Sequence, residues 1–191
     1  MADVMNMTSF STIALYLSSK GTYDRVTWRK LVCKNLGLPR WVFILQLGLH
    51  TRLTTRDRLF KWGITTDTIC HLCGVKDESI DHLLVECDES AYIWGKLLQW
   101  QHIYRSPMQW SDEIKWVEQQ AKGRSPRAQV YRMVLAGVVY HLWAERNQRV
   151  FQQKRQPANL LIKVVIQEVH FKARGCPKVT KWLDQFNCYP V

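Results

Sequence analysis

The sequence predicts a mostly α-helical domain, and three observations carry that expectation. Apolar residues recur at helical spacing in several windows. The two-residue alternation of a half-buried strand is almost absent. Proline and glycine fall where those windows begin and stop. With 191 residues, 47% of them apolar and 23% charged, the chain is long enough to bury a real core and too apolar for wholesale disorder. It contains no internal repeat and no low-complexity run, and nothing approaches the roughly 18 continuous apolar residues of a membrane span. The apolar stretch Phe10 to Leu17 lacks a basic leader and follows Asp3, which makes it a poor signal or transit peptide.

The elements follow in order. Val26 to Leu36 mixes bulky apolar and basic residues and reads as a short helix ended near Gly37. Pro39 suits the first position of the next helix, whose Trp41, Val42, Ile44, Leu45, Leu47 and Leu49 are apolar nearly all round, the pattern of a buried helix. Thr54 or Thr55 caps a helix carrying Leu59, Phe60 and Trp62, with Gly63 as its stop. Ser90 begins another, with Ile93, Trp94, Leu97 and Leu98 at helical spacing.

Pro107 and the segment Gly123 to Pro126 punctuate the second half. Between them Ser111 caps a short run with acids in its first turn, where the helix dipole favours them. Ala128 to Phe151 reads as one long helix with Val130, Val134, Val138 and Leu142 inward. Gln156-Pro157 breaks it. Asn159 caps a last helix, with Leu160, Leu161, Val164, Val165 and Val169 inward, before Gly175 and Pro177 end it.

Six cysteines, at 33, 70, 73, 87, 176 and 188, are an even number, yet the chain is neither small nor visibly secreted, so a reducing compartment is expected. Nothing supports a Cys176–Cys188 disulfide, and Cys33 is expected as a core or surface thiol. The clustered three read differently. Cys70, Cys73, His82 and Cys87 form C-x2-C-x8-H-x4-C. Two cysteines three apart can turn their sulfurs to one point on a tight knuckle, and a second pair from a short element completes a tetrahedron. Three thiolates and one imidazole suit a single Zn2+, with no position left open for water, so the expected role is structural. His71, between the first two cysteines, is expected to point away from the site.

Charge is unevenly spread. Lys and Arg outnumber Asp and Glu 27 to 16, for a net charge of +11 and a pI of about 9.6. Residues 20–61 hold ten Lys/Arg against Asp24 and Asp57. Residues 67–89 hold seven acids against Lys76 alone, and residues 122–181 hold thirteen Lys/Arg against Glu145 and Glu168. The chain reads basic, acidic, basic, so a polyanion is expected to avoid the middle and seek the flanks.

The run PRWVFILQLGLHTRLTTRDRLFKWGI, then CHLC, ESIDHLLVEC and SAYIWGKLL, resembles the reverse-transcriptase zinc-binding domain of plant LINE-type retrotransposons. The likeness falls on Leu53, Thr55, Arg56, Leu59, Trp62, Gly63, Cys70, Cys73, Glu78, Ser79, Asp81, His82, Cys87 and Trp94. VVYHLWAERNQRVF, Val138 to Phe151, is similar to a segment that follows in many of those elements, so the likeness covers roughly residues 10–172. The resemblance implies a helical domain stapled by one structural CCHC zinc knuckle. It divides the chain into an N-terminal segment (1–20), a reverse-transcriptase zinc-binding-like region (21–100), a basic helical extension packed on it (101–175) and a tail (176–191). The polymerase's Y-x-D-D motif is absent from the sequence, so a non-catalytic chain is expected, a freestanding descendant or a fragment of such an element.

The expected function is nucleic-acid binding, RNA ahead of DNA, through basic helices flanking the zinc site. The candidate contacts are Arg25, Arg29, Lys30, Arg40, Arg52, Arg56, Arg58 and Lys61 before the site, interleaved with Trp28 and Trp41, and Arg124, Arg127, Arg132, Arg146 and Arg149 after it. As a bland alternative these cations line solvated helix faces, with Glu145 and Arg149 a weak i,i+4 pair. The knuckle's acids are expected to repel phosphate, so neutralising Asp77, Glu78, Asp81 and Glu86 together should leave affinity intact. A different class of function is a domesticated protein–protein interaction module with no nucleic-acid affinity. An enzyme is not expected: Cys33 and His50 could be imagined as nucleophile and base, but no third group orients them. The expected location is intracellular, nucleus or cytoplasm, without a membrane, and the sequence does not set an oligomeric state.

Overall fold

The structure, a computed structural model, describes residues 12–20, 26 and 28–186. Its elements are α1 (Thr12–Ser19), α2 (Arg29–Cys33), α3 (Pro39–Leu49), α4 (Arg56–Lys61), a π-helical turn (His82–Glu86), α5 (Asp88–Trp100), α6 (Trp110–Gln120), α7 (Pro126–Gln152), α8 (Ala158–Ala173) and α9 (Pro177–Leu183). Among the described residues there is no strand, only an isolated bridge between Ile69 and Asp77. The mostly α class expected from periodicity is what the chain adopts.

Helix α7 is the axis of the molecule. Ser125 caps it by accepting from the Ala128 amide at 3.3 Å, with Pro126 in its first turn. At 27 residues it runs about 40 Å. From Val130 to Val139 every residue is buried, the signature of a helix wrapped on all sides. Helices α3, α8 and α9 pack on it, and α5 packs on both α7 and α8. The approach of α3 is closest at Gly137, where a methyl group would lie 3.4 Å from both Trp41 Cζ3 and Val165 Cγ1. Trp41 is fully buried there.

Several boundaries differ from the sequence expectation, each for a local reason. Helix α2 stops at Cys33 rather than Leu36. The Asn35 side chain accepts from the Gly37 amide at 2.8 Å and donates to the Arg132 carbonyl at 2.8 Å, which turns the chain out of the helix. Helix α5 begins at Asp88, two residues before Ser90, whose hydroxyl instead donates to the Leu83 carbonyl at 2.6 Å. Ser111 lies inside α6, and Asn159 inside α8, where it accepts from the Tyr92 hydroxyl at 3.1 Å. In the stretch read as a tail, α9 buries Val179 and Leu183 against the core. Thr55 is the residue before α4, and Gly63, at φ +68°, is the turn just beyond its end.

The first-turn acid Glu113 does more than complement a dipole. It is fully buried and accepts from Trp94 Nε1 at 2.9 Å, both Arg105 terminal nitrogens at 2.7 and 2.6 Å, the Tyr131 hydroxyl at 3.2 Å and the Met108 amide at 3.1 Å. One carboxylate thereby ties α5, α6, α7 and the loop before α6 together. A buried charge this fully hydrogen-bonded fixes geometry, whatever its net stabilisation.

Candidate metal centre

The knuckle begins where Cys70 donates its amide to the Lys76 carbonyl at 2.8 Å and the Gly74 amide donates to the Cys70 carbonyl at 2.8 Å. Gly74, at φ +72°, makes the reversal that a side-chain-bearing residue resists. The Leu72 amide points at Cys70 Sγ, 3.4 Å away. On the far side, Ser79 starts the next element, its hydroxyl accepting from the His82 amide at 3.0 Å. His82 and Cys87 then lie at the two ends of the π-helical turn, joined by the Cys87 amide donating to the His82 carbonyl at 2.7 Å.

That wider turn has a geometric use. Residues five apart on a regular α-helix sit about 140° apart around the axis. Widening the turn brings His82 and Cys87 round to one side, where both meet the knuckle. The result gathers one donor atom each from Cys70, Cys73, His82 and Cys87, all within 4.8 Å of one another. His82 Nε2 lies 3.4 Å from Cys73 Sγ, against the ~3.5 Å that a zinc ion bonded to one sulfur and one nitrogen would set between them. Cys70, Cys87 and His82 are buried, Cys73 half-buried, and His71 stands outside the cluster. The donor set fits Zn2+: soft thiolates and an imidazole, four in number, with every tetrahedral position supplied by protein.

The protonation chemistry suits a cation. A hydrogen bond between the Cys70 and Cys87 thiols shifts the two in opposite directions. That bond, followed by the amides of Ser90 and Glu89 at the start of α5, brings Cys87 down to about 5 against the opposing effect of burial. The same bond and burial raise Cys70. A divalent cation bound to both thiolates would displace the proton between them.

The knuckle is held from outside by α7. Arg149 Nη1 donates to the carbonyls of Leu72 at 2.8 Å and His71 at 3.3 Å, and its guanidinium also pairs with Glu89 at the start of α5 and with Glu145 at 2.7 Å. Arg146 Nη2 pairs with Glu78 at 2.8 Å, and Glu78 accepts in turn from the Arg56 amide at 2.9 Å. Arg155 reaches Glu89 at 3.1 Å. The Glu-Arg-Asn-x-Arg segment of α7 is therefore a clamp on the two ends of the metal loop.

This arrangement corrects part of the expected contact set. Arg146 is buried and neutralised by Glu78, and Arg149 spends its donors on the knuckle, so neither faces a phosphate. Arg132 is 2% exposed and donates to the carbonyls of Ala121 and Gly123, closing the turn between α6 and α7. Arg56 is paired with Asp67, and Arg40 with Glu168 at 2.9 Å while it lies over the Tyr140 ring. Glu78, counted among the repelling acids, is fully buried. Trp41 is core and offers no stacking face. Arg25 and Cys188 lie outside the described residues. Arg29, Lys30, Arg52, Lys61, Arg124 and Arg127 are exposed, with no ion pair among the described residues, and Arg58 lies over the Trp62 ring at 5.1 Å. The missed contacts had one signal in the sequence: acids concentrated in one segment and arginines in another must meet somewhere if both are to be buried.

A helical body thus gathers a Cys3His cluster that could hold one zinc ion with all four positions supplied by protein. Residues 10–94 match the model of a known family, zinc-binding in reverse transcriptase, a domain that accompanies the polymerase and is not itself the polymerase. The match covers somewhat under half of the chain and supports a reverse-transcriptase zinc-binding domain there. No curated protein and no solved structure matches the chain. Among the described residues, no helix is long and apolar enough to cross a membrane.

Proposed function

We propose that the chain is a non-catalytic module of plant LINE-type retrotransposon origin that binds nucleic acid, RNA in preference to DNA, with one structural Zn2+ bracing the fold. The carrying observation is which charges the fold consumes. Glu78, Glu89, Glu113 and Glu145 are spent on internal pairs, whereas Arg29, Lys30, Arg52, Lys61, Arg124 and Arg127 stay exposed on the segments either side of the knuckle. Free cations of this kind neutralise phosphates and release counterions, which makes affinity fall steeply with salt. The zinc then acts at a distance, holding the flanking basic segments at a set angle through the Arg146 and Arg149 clamp.

Retention on immobilised RNA at physiological salt, with elution on a salt gradient, tests the proposal. Reversing the charge of Arg52, Arg124 and Arg127 should bring elution to lower salt on every sequence alike. Neutralising the exposed acids Asp77, Asp81 and Glu86 should leave retention intact or raise it; Glu78 is excluded because its loss would strand Arg146. Flow-through of the native chain would sink the proposal. It would favour a protein–protein module instead, for which the exposed apolar edge of Phe60, Trp62 and Ile64 is the supporting observation.

A further inference from the structure

The two basic segments, residues 20–61 and 122–181, meet at one place. A cleft of about 350 Å³ opens between α2 and the C-terminal end of α6. Its walls are mostly apolar, with Trp28 and Leu31 on one side and Val117 and Ala121 on the other. Lys30 from the first basic set and Lys122 from the second both line it. Arg29 on α2 and Lys34 just past its end adjoin in sequence, and Arg124 in the turn and Arg127 in the first turn of α7 follow Lys122. The buried Arg132, itself lining the cleft, holds that turn in place through its bonds to Ala121 and Gly123. Glu118 is the one acid in the lining, and its Oε1 is buried with no hydrogen-bond partner.

We propose that this cleft takes a single unpaired nucleobase of a bound RNA strand, stacked against Trp28 and hydrogen-bonded through an exocyclic amino group to Glu118, with the flanking phosphates on Lys30 and Lys122. The proposal deepens the RNA-binding reading and rests on it. Each feature answers a different part of the ligand. An apolar slot of this volume has room for one base and its sugar, and sits at the small end of ordinary ligand sites (~300–1,000 Å³). A base inside a duplex could enter only by leaving its stack, so the strand is single. Cations on both rims with an indole in the wall form the usual combination of single-strand sites, electrostatic tracking with aromatic stacking. The Glu118 carboxylate, the one acid of the lining, accepts from an amino group, which cytosine, adenine and guanine carry and uracil does not.

Fluorescence anisotropy with labelled oligo(C), oligo(U) and a blunt RNA hairpin tests it on the full chain. Oligo(C) should bind about tenfold more tightly than oligo(U), and Glu118→Leu should erase that difference. Trp28→Leu should weaken both homopolymers about tenfold. Lys30→Ala with Lys122→Ala should reduce the slope of log affinity against log salt by about 1.4. The hairpin should bind more weakly than oligo(C) and be indifferent to Trp28→Leu. Because Trp28 also packs on the core, ultraviolet crosslinking of the native chain to oligo(C) supplies a second readout, with adducts expected on residues 28–34 and 117–124. If the native chain binds RNA with a steep salt slope but adducts fall around Arg58 and Trp62, or the homopolymers bind alike, the cleft is not the base site and the general reading survives. If neither homopolymer binds at physiological salt, the RNA-binding reading itself is lost.

Discussion

Arg146 Nη2 and Glu78 Oε1 stand 2.8 Å apart across 68 residues of chain, with side chains 3% and 0% exposed. The guanidinium also lies over the Trp143 ring at 5.1 Å and donates to Asn147 at 3.0 Å. One buried pair thus joins the stretch between the two ligand pairs to the C-terminal third of the longest helix, and removing either partner strands a charge.

Arg146→Met should therefore destabilise the fold by about 3–5 kcal/mol, the cost of leaving one buried charge unpaired. Glu78→Leu alone should cost a similar amount, and the double variant less than the sum of the two. Urea denaturation of the four proteins measures the coupling. Strict additivity would show that the pair is not coupled in solution.

Zinc removal is the second prediction. Protein purified without added metal should contain one zinc per chain, and a strong chelator should lower the melting temperature and loosen residues 68–90 first by hydrogen exchange. Cys87→Ser should abolish stoichiometric zinc while leaving α7 and α8 helical, because their burial on each other does not pass through the site. The metal's contribution, on the order of 10 kcal/mol in isolated fingers, should be smaller here, since Arg146 and Arg149 hold the loop independently.

Gly137 offers a test of packing. A Cβ there would already touch Trp41 and Val165 at 3.4 Å, so Gly137→Ala should be tolerated, its contacts being ordinary ones and alanine the better helix former. Gly137→Val should cost about 1–3 kcal/mol by forcing α3 and α8 outward. Thermal melting of both variants checks the contrast, and equal stability would show the interface to be looser than described.

Acid should destabilise the fold through two half-buried histidines, His141 and His170. Burial lowers His141, against the pull of its 2.6 Å contact with Glu168 and with Arg40 adding to the lowering; burial also lowers His170, against Asp184. Below the ordinary value of 6.5 the unfolded chain therefore binds protons that the native state resists. The stabilisation is present above that value and is lost as pH falls through and below it. Denaturation midpoints between pH 7.5 and pH 5 should decline, and His141→Phe should flatten the decline. A stability that rose on acidification would contradict this assignment.

Much of the fold was legible because it depends on neighbours in the chain. Pro39, Thr55, Gly63 and Gly175 mark helix limits through backbone preferences that act over one or two residues. Cys70, Cys73, His82 and Cys87 could be read as one site because two short spacings restrict where four side chains can converge. The π-helical turn that brings the last two together left no such mark, since it differs from an α-turn by one residue of slack.

The basic residues divide along the same line. Composition and spacing settled that the chain carries a large positive excess in two blocks around an acidic one, and they picked out the four donor residues that the structure gathers. Tertiary structure alone decided that Arg132, Arg146 and Arg149 are internal braces while Lys30 and Lys122 face a common cleft. A charge's partner is chosen by apposition across tens of residues, where burial makes an unpaired charge costly, and that contact exists only once the helices have packed.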